Sequence, residues 1–381
     1  MTADWVERTI GDVAEIIGGG TPPTRDPSNF NGDIPWLTPK DLSGIHPRYV
    51  TGGERSLSMK GLRASSARLL PPGSVLLTTR APIGYVAIAA SSVSTNQGFR
   101  SLIPKSEIDH GFLYYWLKGN IPKLERHASG STFKELSGSS LSRIRILFPR
   151  SIYEQQAIAS VLGALDDKIE LNRRMSDTLD QMAETIFHEW FTSAASLQEQ
   201  RKGEQPKRLR DVLKLQYGKG LRKADRIAGP IPVYGSGGAF DYHNEPLIEG
   251  PDIIVGRKGT VGSLYWVDEP SFPGDTVFYV ESSLPLTYCY YLLRTLGLNE
   301  MNTDAAVPGL NRENVYHLEV PSPPARFIEQ FDSVAAPMRE RIRVANVESR
   351  TLAELRDTLL PKLISGELRL PEAEQLVSEV A

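Results

Sequence analysis

The stretch SIYEQQAIASVLGALDDKIELNRRMSDTLDQMAETIFHEWF, residues 151–191, decides the fold of this chain. From Ile158 to Trp190 its seam positions, mostly apolar, recur at alternating steps of four and three, the spacing of a coiled-coil seam. This pattern predicts one long helix. At about 1.5 Å per residue, the part from Tyr153 to Trp190 would be roughly 57 Å long. A helix of that length is too long for one globular core to cover, so we expect a second helix beside it.

A candidate partner helix follows Phe331, where the seam positions step by three and four in the same way. Both seams have polar centres, at Asn172 and Ser176 in the first helix and at Arg341 and Glu348 in the second. Because polar seam residues lower stability but fix the register, we predict that the two helices pair antiparallel. The alternative is two unrelated amphipathic helices, each packed on its own domain. The predicted seam of the second helix is Val334, Met338, Arg341, Ala345, Glu348, Leu352, Leu355 and Leu359.

The two halves of the chain repeat each other. Several short segments match at a nearly constant separation, which indicates an internal duplication. The order is therefore globular domain, helix, globular domain, helix. This predicts an α+β, pseudo-twofold molecule whose two domains are separated by two long antiparallel, coiled-coil-like helices. The matched segments are FLYYWLK at Phe112 with YCYYLLR at Tyr288, Arg80 with Arg257, Glu154-Gln155 with Glu329-Gln330, and LDQMAETIF at Leu179 with LAELRDTLL at Leu352.

Composition gives the expected boundaries. The segment SAASLQEQRKGEQPKR is polar and poor in apolar residues, which is typical of a mobile linker. Near the end of the chain, Pro361 and then Ser365-Gly366 should end the second long helix. In chain order the predicted boundaries are 1–150 for the first domain, 151–192 for the first helix, 193–208 for the linker, 209–325 for the second domain, 326–370 for the second helix and 371–381 for an acidic frayed tail.

The overall composition is that of a globular protein. With 381 residues, 40% of them hydrophobic, the chain can bury more than one core. No run approaches the 18 apolar residues of a membrane span, and the first twenty residues lack the layout of a signal peptide, so we expect a cytoplasmic protein. The lone Cys289 excludes an internal disulfide and agrees with a reducing compartment.

The charge is distributed unevenly. Residues 1–150 contain 18 Lys and Arg against 12 Asp and Glu, whereas residues 151–200 contain 3 against 9. Residues 201–226 contain 10 against 3. Basic domains and acidic helices suit a molecule whose domains contact a polyanion while its helices face other proteins. The alternative is a solvated charge distribution without a function.

Polar residues in turns and loops are the candidate contacts to DNA. In the first domain, an arginine at a strand corner could bind guanine, amides could pair with adenine, and hydroxyl and lysine groups could hold phosphates. The second domain presents its polar groups at Gly-rich corners. Any one of these residues could instead be an ordinary surface or capping residue, and the glycines could simply form tight turns. The candidates are Arg80 for guanine, Asn96 and Gln97 for adenine, Thr38, Lys40, Ser131, Thr132 and Lys134 for phosphates, and Tyr234, Ser236, Arg257, Lys258, Asp275, Asn311 and Arg312 in the second domain.

Longer motifs resemble a known family along nearly the whole chain. They are WLTPKDLS, RAPIGYVAIA, TNQGF, ASGSTFKELS and EQQAIASVLGALDDKIELNRR in the first half, and PVYGSGG, GRKGTVG, FPGDTVFYV, AVPGLNR and LAELRDTLLPKLISGEL in the second. In this order they resemble the specificity subunit of type I restriction–modification systems. The resemblance implies two mixed α/β target recognition domains with curved sheets, each reading one half of a split site in double-stranded DNA.

The resemblance also implies partners and the absence of catalysis in this chain. The two helices would space the domains and dock two methylation subunits, and restriction and translocase subunits would complete the complex. S-adenosylmethionine, ATP and Mg²⁺ would then belong to the partner subunits, and this chain would hold no cofactor and no metal. The helix residues assigned to partner contacts are Glu154, Gln155, Asn172, Glu329 and Gln330.

Catalytic signatures are missing from the sequence. There is no NPPF or NPPY tetrad for amino methylation, no P-loop and no metal-ligand spacing among the six histidines. A nuclease-like arrangement of Asp252 before Lys258 lacks its second acid, because Gly256 occupies that position. Two alternatives stay open at this stage: an autonomous DNA methyltransferase or nuclease, and an adaptor that binds only proteins.

Overall fold

The structure is a computed structural model that divides into two compact units. Unit 1 comprises Met1–Leu171 and Glu348–Ala381, and unit 2 comprises Asn172–Val347. Each unit therefore contains one globular domain and a section of each long helix. The residues that the structure describes are 4–44, 47–130, 134–193, 207–302 and 309–380.

Unit 1 is built on a five-stranded sheet in the order β2-β9-β6-β7-β4, a three-stranded sheet in the order β5-β3-β8 and a pair β1-β10. Its strands are β1 (Trp5–Thr9), β2 (Ala14–Gly18), β3 (Phe30–Leu37), β4 (Tyr49–Val50), β5 (Arg55–Leu57), β6 (Val75–Thr79), β7 (Ile83–Ala89), β8 (Ser94–Thr95), β9 (Phe99–Pro104) and β10 (Arg145–Pro149). Its helices are α1 (Ile10–Val13), α2 (Met59–Arg63), α3 (His110–Gly119), α4 (Ile121–Arg126), α5 (Gly138–Ser142) and the first part of α6 (Ile152–Phe187).

Unit 2 has a four-stranded sheet in the order β12-β18-β15-β16, a three-stranded sheet β14-β13-β17 and a pair β11-β19. Its strands are β11 (Lys207–Arg208), β12 (Lys214–Tyr217), β13 (Ile231–Gly235), β14 (Gly238–His243), β15 (Asp252–Gly256), β16 (Leu264–Val267), β17 (Phe272–Pro273), β18 (Val277–Glu281) and β19 (Glu319–Val320). The remaining helices of the chain are α7 (Leu286–Arg294), α8 (Arg312–Tyr316), α9 (Ala325–Ser365) and α10 (Leu370–Val380), of which α10 belongs to unit 1.

The two units share one topology. The order β12-β18-β15-β16 repeats β2-β9-β6-β7, and β14-β13-β17 repeats β5-β3-β8 with the same antiparallel and parallel neighbours. Helix α3 packs on the first sheet as α7 does on the second. The predicted duplication and the α+β class are therefore confirmed. Within the described residues, β4 is the only strand of the larger sheet of unit 1 that has no counterpart in unit 2.

The long helices pair antiparallel within each unit, as predicted. In unit 1, Asp166 of α6 contacts Arg356 of α9 at 2.7 Å. In unit 2, the Asn172 amide donates to the carbonyl of Ala345 at 3.4 Å, and Asn172 is only 2% exposed. A contact earlier in α6 thus matches a later position in α9, which is the antiparallel direction.

Parts of the predicted seam are wrong. On α9, Ala335 and Ile342 are buried, each one position after a predicted seam residue, and the predicted Arg341 is exposed. At the end of α6, Phe187 is buried and Trp190 is 37% exposed. The reason is that these helix sections also pack in the core of unit 2, where steps of four join Ala183, Phe187 and Phe191 of the first long helix and Phe331 and Ala335 of the second.

The match of Glu154-Gln155 with Glu329-Gln330 is also wrong. Gln155 is fully buried and its side chain donates to the carbonyls of Glu107 and Pro149, whereas Gln330 is exposed. Buried positions give a different equivalence between the helices. By burial and spacing, Ile158, Leu162 and Asp166 of α6 correspond to Phe331, Ala335 and Arg339 of α9.

The predicted frayed tail is a helix. Leu370–Val380 forms α10, with Ala373 fully buried and Leu370 and Val377 packed against the core of unit 1. These apolar residues recur at steps of three and four, a helical period that the acidic character of the segment obscured. Residues 194–206 of the predicted linker lie outside the described part of the chain.

Candidate nucleic-acid interface

Strand β6 ends at a corner in unit 1, where the segment at Glu135 crosses it. The backbone N–H of Leu136 donates to the carbonyl of Thr79 at 3.0 Å, and Arg80 pairs with Glu135 as an isolated bridge. The Arg80 side chain is 38% exposed, and its Nη1 atom lies 3.9 Å from a Glu135 carboxylate oxygen. The guanidinium is therefore accessible, but a nearby carboxylate partly balances its charge.

An open cleft of about 520 Å³ lies beside this corner. Two predicted residues, Arg80 and Gln97, line the cleft together with two arginines that were not predicted from the sequence, Arg68 and Arg100. A signal for Arg100 was present in the sequence. It directly follows the buried Phe99 in a strand, so its side chain points to the opposite face of the sheet.

Carboxylates accompany both additional arginines. Arg68 lies 3.7 Å from Glu15, and Arg100 lies 3.3 Å from Glu135. Glu135 thus lies near both Arg80 and Arg100. The first cleft, defined by Arg68, Arg80, Arg100 and the two glutamates, carries only a small excess of positive charge.

The other predicted residues of unit 1 have local structural roles. The Thr38 hydroxyl donates to Asp41 at 2.7 Å, Lys40 forms an ion pair with Glu54 at 3.0 Å, and the Asn96 side chain accepts from the N–H of Gly98 at 2.8 Å. Hydrogen bonding to Glu54 raises the pKa of Lys40. Their roles in DNA contact stay predictions. The remaining candidates of this domain are Lys134, which is exposed, and Ser131 and Thr132, which lie outside the described residues.

Strand β15 ends at the equivalent corner of unit 2. The N–H of Leu310 donates to the carbonyl of Arg257 at 2.8 Å, and Lys258 pairs with Gly309 as an isolated bridge. By this pairing Lys258, and not Arg257, is the counterpart of Arg80. The predicted match of Arg80 with Arg257 is therefore displaced by one residue. It paired residues of the same type, whereas the strand registers Leu77 with Val86 and Val255 with Leu264 give both corners the same length and align Arg80 with Lys258.

Two guanidinium groups contact one exposed aromatic ring at the second corner. The Cζ atom of Arg257 lies 5.1 Å from the centre of the Tyr217 ring, and that of Arg312 lies 4.6 Å from it. Tyr217 is 49% exposed and was not predicted. Arg257 also donates to the backbone carbonyl of Asp275 at 2.7 Å. Within the described residues, the Nε atoms of both arginines are buried without a hydrogen-bond partner. We call Tyr217, Arg257, Lys258 and Arg312 the second cluster.

The remaining candidates of unit 2 lie around this cluster and also have structural roles. Ser236 accepts from the N–H of Thr260 at 3.4 Å, and the Asn311 side chain caps helix α8 by accepting from the N–H of Glu313 at 2.9 Å. The Tyr234 ring packs against Tyr265, with ring centres 6.2 Å apart. The side chains of Lys258 and Asp275 are exposed.

An exposed aromatic pair on strand β14 was also missed. Phe240 and Tyr242 are 57% and 59% exposed, and the alternation along the strand places them on one face. Arg226 stacks on Phe240 at 5.0 Å and forms an ion pair with Asp241 at 2.6 Å. The basic segment 201–226 singled out by composition therefore ends beside exposed rings.

One carboxyl group of unit 2 is buried. Asp252, at the start of β15, is 8% exposed, and its side chain accepts from the N–H groups of Ile253 and Val280. Burial raises the pKa of Asp252 to about 6. Because Asp252 is enclosed among backbone groups, the rejection of a nuclease site here agrees with the structure. Within the described residues, no group of three or more His, Cys, Asp or Glu could hold a metal ion.

Two of the residues assigned to partner contacts face inwards. Gln155 is fully buried and Asn172 is 2% exposed, so neither offers a surface to another subunit. Glu329 and Gln330 are exposed, and Glu154 is partly exposed. Among the described helices, none is both long enough and apolar enough to cross a membrane.

The chain thus belongs to a class of protein with two domains of the same fold. These domains present different arginine, lysine, amide and hydroxyl groups at equivalent backbone positions. A family model, the type I restriction modification DNA specificity domain, matches residues 2–181 and 202–332. The MjaIX specificity subunit of Methanocaldococcus jannaschii is 32% identical, covering 97% of this chain and 94% of its own. The EcoprrI specificity subunit of Escherichia coli is 22% identical, with 90% and 91% covered.

A solved structure shares the fold. The S subunit of a type I restriction–modification system from M. genitalium covers 95% of this chain and 96% of its own, with a TM-score of 0.62 and 21% identity. The chain belongs to the family of type I restriction–modification specificity subunits. The predicted family is thereby confirmed, together with the prediction of a non-catalytic recognition subunit.

Proposed function

We propose that this chain binds double-stranded DNA at a split sequence, each domain reading one part, and that it positions methylation and restriction subunits on that DNA. The observation that carries the proposal is the repeated corner with different side chains. Arg80 and Glu135 meet in unit 1 where Lys258 and Gly309 meet in unit 2. Equivalent backbone positions with different hydrogen-bonding groups suit two readers of different bases.

Positive charge at the corners supports DNA as the ligand. Arg257 and Arg312 can approach phosphates, and an arginine can also bind guanine with two hydrogen bonds. The exposed ring of Tyr217 keeps both guanidinium groups in place through cation–π contacts. The proposal assigns the first part of the DNA site to the first cleft and the second part to the second cluster.

The chemistry is proposed to reside in the partners. Two methylation subunits would bind along the helices and supply S-adenosylmethionine, and restriction subunits would supply ATP-dependent translocation and Mg²⁺-dependent cleavage. The uninterrupted helices α6 and α9 support a second element of the proposal, that helix length sets the number of bases between the two parts of the site.

Domain exchange tests the central proposal. Residues 1–150 are replaced by the first domain of another family member, and modified adenines are mapped by sequencing in a host that carries the complete system. We expect one part of the recognised sequence to change and the other to stay. A change in both parts would contradict independent reading.

A second experiment tests the role of the helices. Four residues, about one helical turn, are inserted in both α6 and α9. We expect the gap between the two parts of the site to widen while the parts themselves stay the same. An unchanged gap would contradict spacing by helix length.

Two other functions have clear tests. An autonomous enzyme would methylate or cleave DNA as an isolated chain. A protein-only adaptor would give no salt-dependent shift of DNA even with its partners present. The repeated cationic corners favour DNA recognition over binding of proteins alone, and membership of the specificity-subunit family favours it over an autonomous enzyme.

A further inference from the structure

An ion cluster joins the two long helices in unit 1. Asp166 of α6 accepts hydrogen bonds from the Tyr115 hydroxyl and from Arg356 of α9, both at 2.7 Å. Lys118 lies 3.6 Å from the same carboxylate. The side chains of Asp166 and Arg356 are only 12% and 17% exposed. Burial disfavours the charged carboxylate, but the nearby cations outweigh it and lower the pKa of Asp166.

An equivalent cluster joins the helices in unit 2. Asp180 of α6 accepts from the Tyr291 hydroxyl at 2.9 Å and from Arg339 of α9 at 3.1 Å. Arg294 forms a further ion pair with Asp180. Tyr291 and Arg294 occupy on α7 the positions that a tyrosine and a lysine occupy on α3, as the matched heptapeptides predict.

The two clusters have the same polarity with respect to the helices. In both, the acid belongs to α6 and the arginine that crosses to it belongs to α9. The chain is a duplication, so two similar helices could in principle also pair each with a second copy of itself. Charge on the helices decides whether such pairs are tolerated.

The equivalence of the helices shows what a like pair would contain. Asp166 corresponds to Arg339, and Asp180 lies opposite Arg339. In an antiparallel pair of two α6 helices, Asp166 of one copy would therefore lie opposite Asp180 of the other. In a pair of two α9 helices, Arg339 would lie opposite Arg356. Both pairings bring like charges together between largely buried helix faces, which would destabilise the like pair.

We propose that these two clusters form a charge code by which the first half of the chain, residues 1–193, pairs with the second half, residues 207–381, and rejects a second copy of itself. In the intact chain the code favours the pair of different helices over a dimer in which each helix pairs with its own second copy. Given the proposed function, it thereby keeps the recognised DNA sequence asymmetric. That consequence rests on the proposed function, whereas the pairing itself does not.

A third ion pair between the helices has the opposite polarity. Lys168 of α6 lies 3.1 Å from Glu348 of α9, and their side chains are 42% and 33% exposed. Exposed pairs contribute little, about 0–1 kcal/mol, because water screens them. We therefore assign the selection to the two less exposed clusters.

Charge swaps in the full-length protein test the code. A protease site is placed between residues 193 and 207, and the purified chain is cleaved so that its halves stay associated. One variant swaps the unit 1 pair, Asp166→Arg with Arg356→Asp. This half-swapped variant has one acid and one arginine on each helix, so like pairs and unlike pairs are both complementary. A fully swapped control adds Asp180→Arg and Arg339→Asp, which restores a code that allows only unlike pairs.

Native mass spectrometry of the cleaved proteins gives the readout. Mixing of isotope-labelled and unlabelled samples first establishes that the halves exchange. We expect only unlike pairs from the natural sequence and from the fully swapped control. We expect like pairs to be at least about tenfold more abundant in the half-swapped variant.

Two outcomes would overturn the proposal. One is that like pairs are equally rare in the natural and the half-swapped proteins. The other is that like pairs are already abundant in the natural protein. Circular dichroism and assembly of the fully swapped control show whether the swapped clusters fold. If that control does not fold, the reciprocal half-swap, Asp180→Arg with Arg339→Asp, gives the same test. None of these outcomes depends on DNA binding, so they are distinct from a failure of the proposed function.

Discussion

The corners of units 1 and 2 have the same backbone but different charges. In unit 1 the crossing segment brings Glu135 beside Arg80, and in unit 2 it brings Gly309 beside Lys258. All three arginines of the first cleft lie near carboxylates, whereas the two arginines of the second cluster share the Tyr217 ring, and of these two only Arg312 lies near a carboxylate, 3.8 Å from Glu313. The fold therefore preserves the backbone position at which a cation is presented, while the side chains around that cation vary.

The helix clusters vary much less than the corners. Tyr115 and Tyr291 both donate to an aspartate of α6, and both aspartates also accept from an arginine of α9. A substitution in either cluster should therefore lower the stability of the unit that contains it. A substitution at either corner should instead affect the recognition of one part of the DNA site.

The largest effect should come from the buried aspartate of unit 1. Asp166→Asn leaves Lys118 without the carboxylate 3.6 Å away and leaves Arg356 only the 64% exposed carboxylate of Asp357. We expect a loss of about 3–5 kcal/mol in the free energy of unfolding. Asp180→Asn should cost less, because the Asp180 side chain is 25% exposed, whereas that of Asp166 is only 12% exposed. Chemical denaturation with hydrogen exchange in each unit measures both losses.

A matched control uses an exposed aspartate of the same helix. Asp177 pairs with Arg173 at 2.6 Å, and the two side chains are 55% and 41% exposed. Asp177→Asn should change stability by no more than about 0.5 kcal/mol. Equal losses for Asp166→Asn and Asp177→Asn would show that the cluster of unit 1 does not stabilise the fold.

The second effect distinguishes the units by pH. Burial raises the pKa of Asp252 to about 6, from an unfolded value near 4, so the folded state holds its proton more tightly. This contribution to stability is present below pH 4 and is lost as the pH rises through 6. Asp252→Asn removes the ionisable group, so unit 2 no longer loses this stability as the pH rises. The variant should therefore be more stable than the natural protein at pH 7 by about 2–3 kcal/mol.

The control for this effect is unit 1 of the same molecule. Its equivalent strand β6 has the sequence VLLTT and no ionisable side chain. Hydrogen exchange of the natural protein and of Asp252→Asn is compared at pH 4.5 and at pH 7. The stability gained by the substitution should be larger at pH 7 in unit 2 and should be absent from unit 1 at both pH values. A difference of the same size in both units would point to a cause other than Asp252.

The third effect concerns DNA binding by the second cluster. Arg257→Ala removes one of the two guanidinium groups that contact Tyr217, and we expect binding of the complete complex to weaken by about 1–3 kcal/mol. Binding to DNA with base changes in each part of the site shows which part is affected. Lys214→Ala, at the other end of strand β12, removes an equal charge and should have little effect.

Much of the fold was predictable, but the surroundings of the site were not. Period and repetition predict the long helices and the duplication, because both are properties of the linear chain. The placement of Glu135 against Arg80 and Arg100 depends on a crossing of segments distant in sequence. The contact of Tyr217 with Arg312 is likewise tertiary. Gln155 was predicted to contact a partner but is buried, because its side chain donates to two backbone carbonyls that only the folded structure brings close.

The smallest effect tests the charge difference between the two corners. Glu135→Gln removes the carboxylate that faces Arg80 at 3.9 Å and Arg100 at 3.3 Å, while the backbone bridge can remain. If the carboxylate restrains these arginines, the variant should bind DNA more tightly by about 0.5–1 kcal/mol, with a salt dependence steeper by about one counterion. The first cleft would then resemble the second cluster in its response to salt.

Glu125→Gln provides the control, because Glu125 is exposed on helix α4 and has the same charge. Titrations of the complete complex at several salt concentrations measure affinity and salt dependence together. If both variants gain the same affinity for DNA, the gain comes from the change in net charge, and the carboxylate at the first corner has no specific effect on DNA binding. A gain confined to Glu135→Gln, and to the part of the site read by the first domain, would show that a single carboxylate sets how strongly one of two equivalent corners contacts DNA.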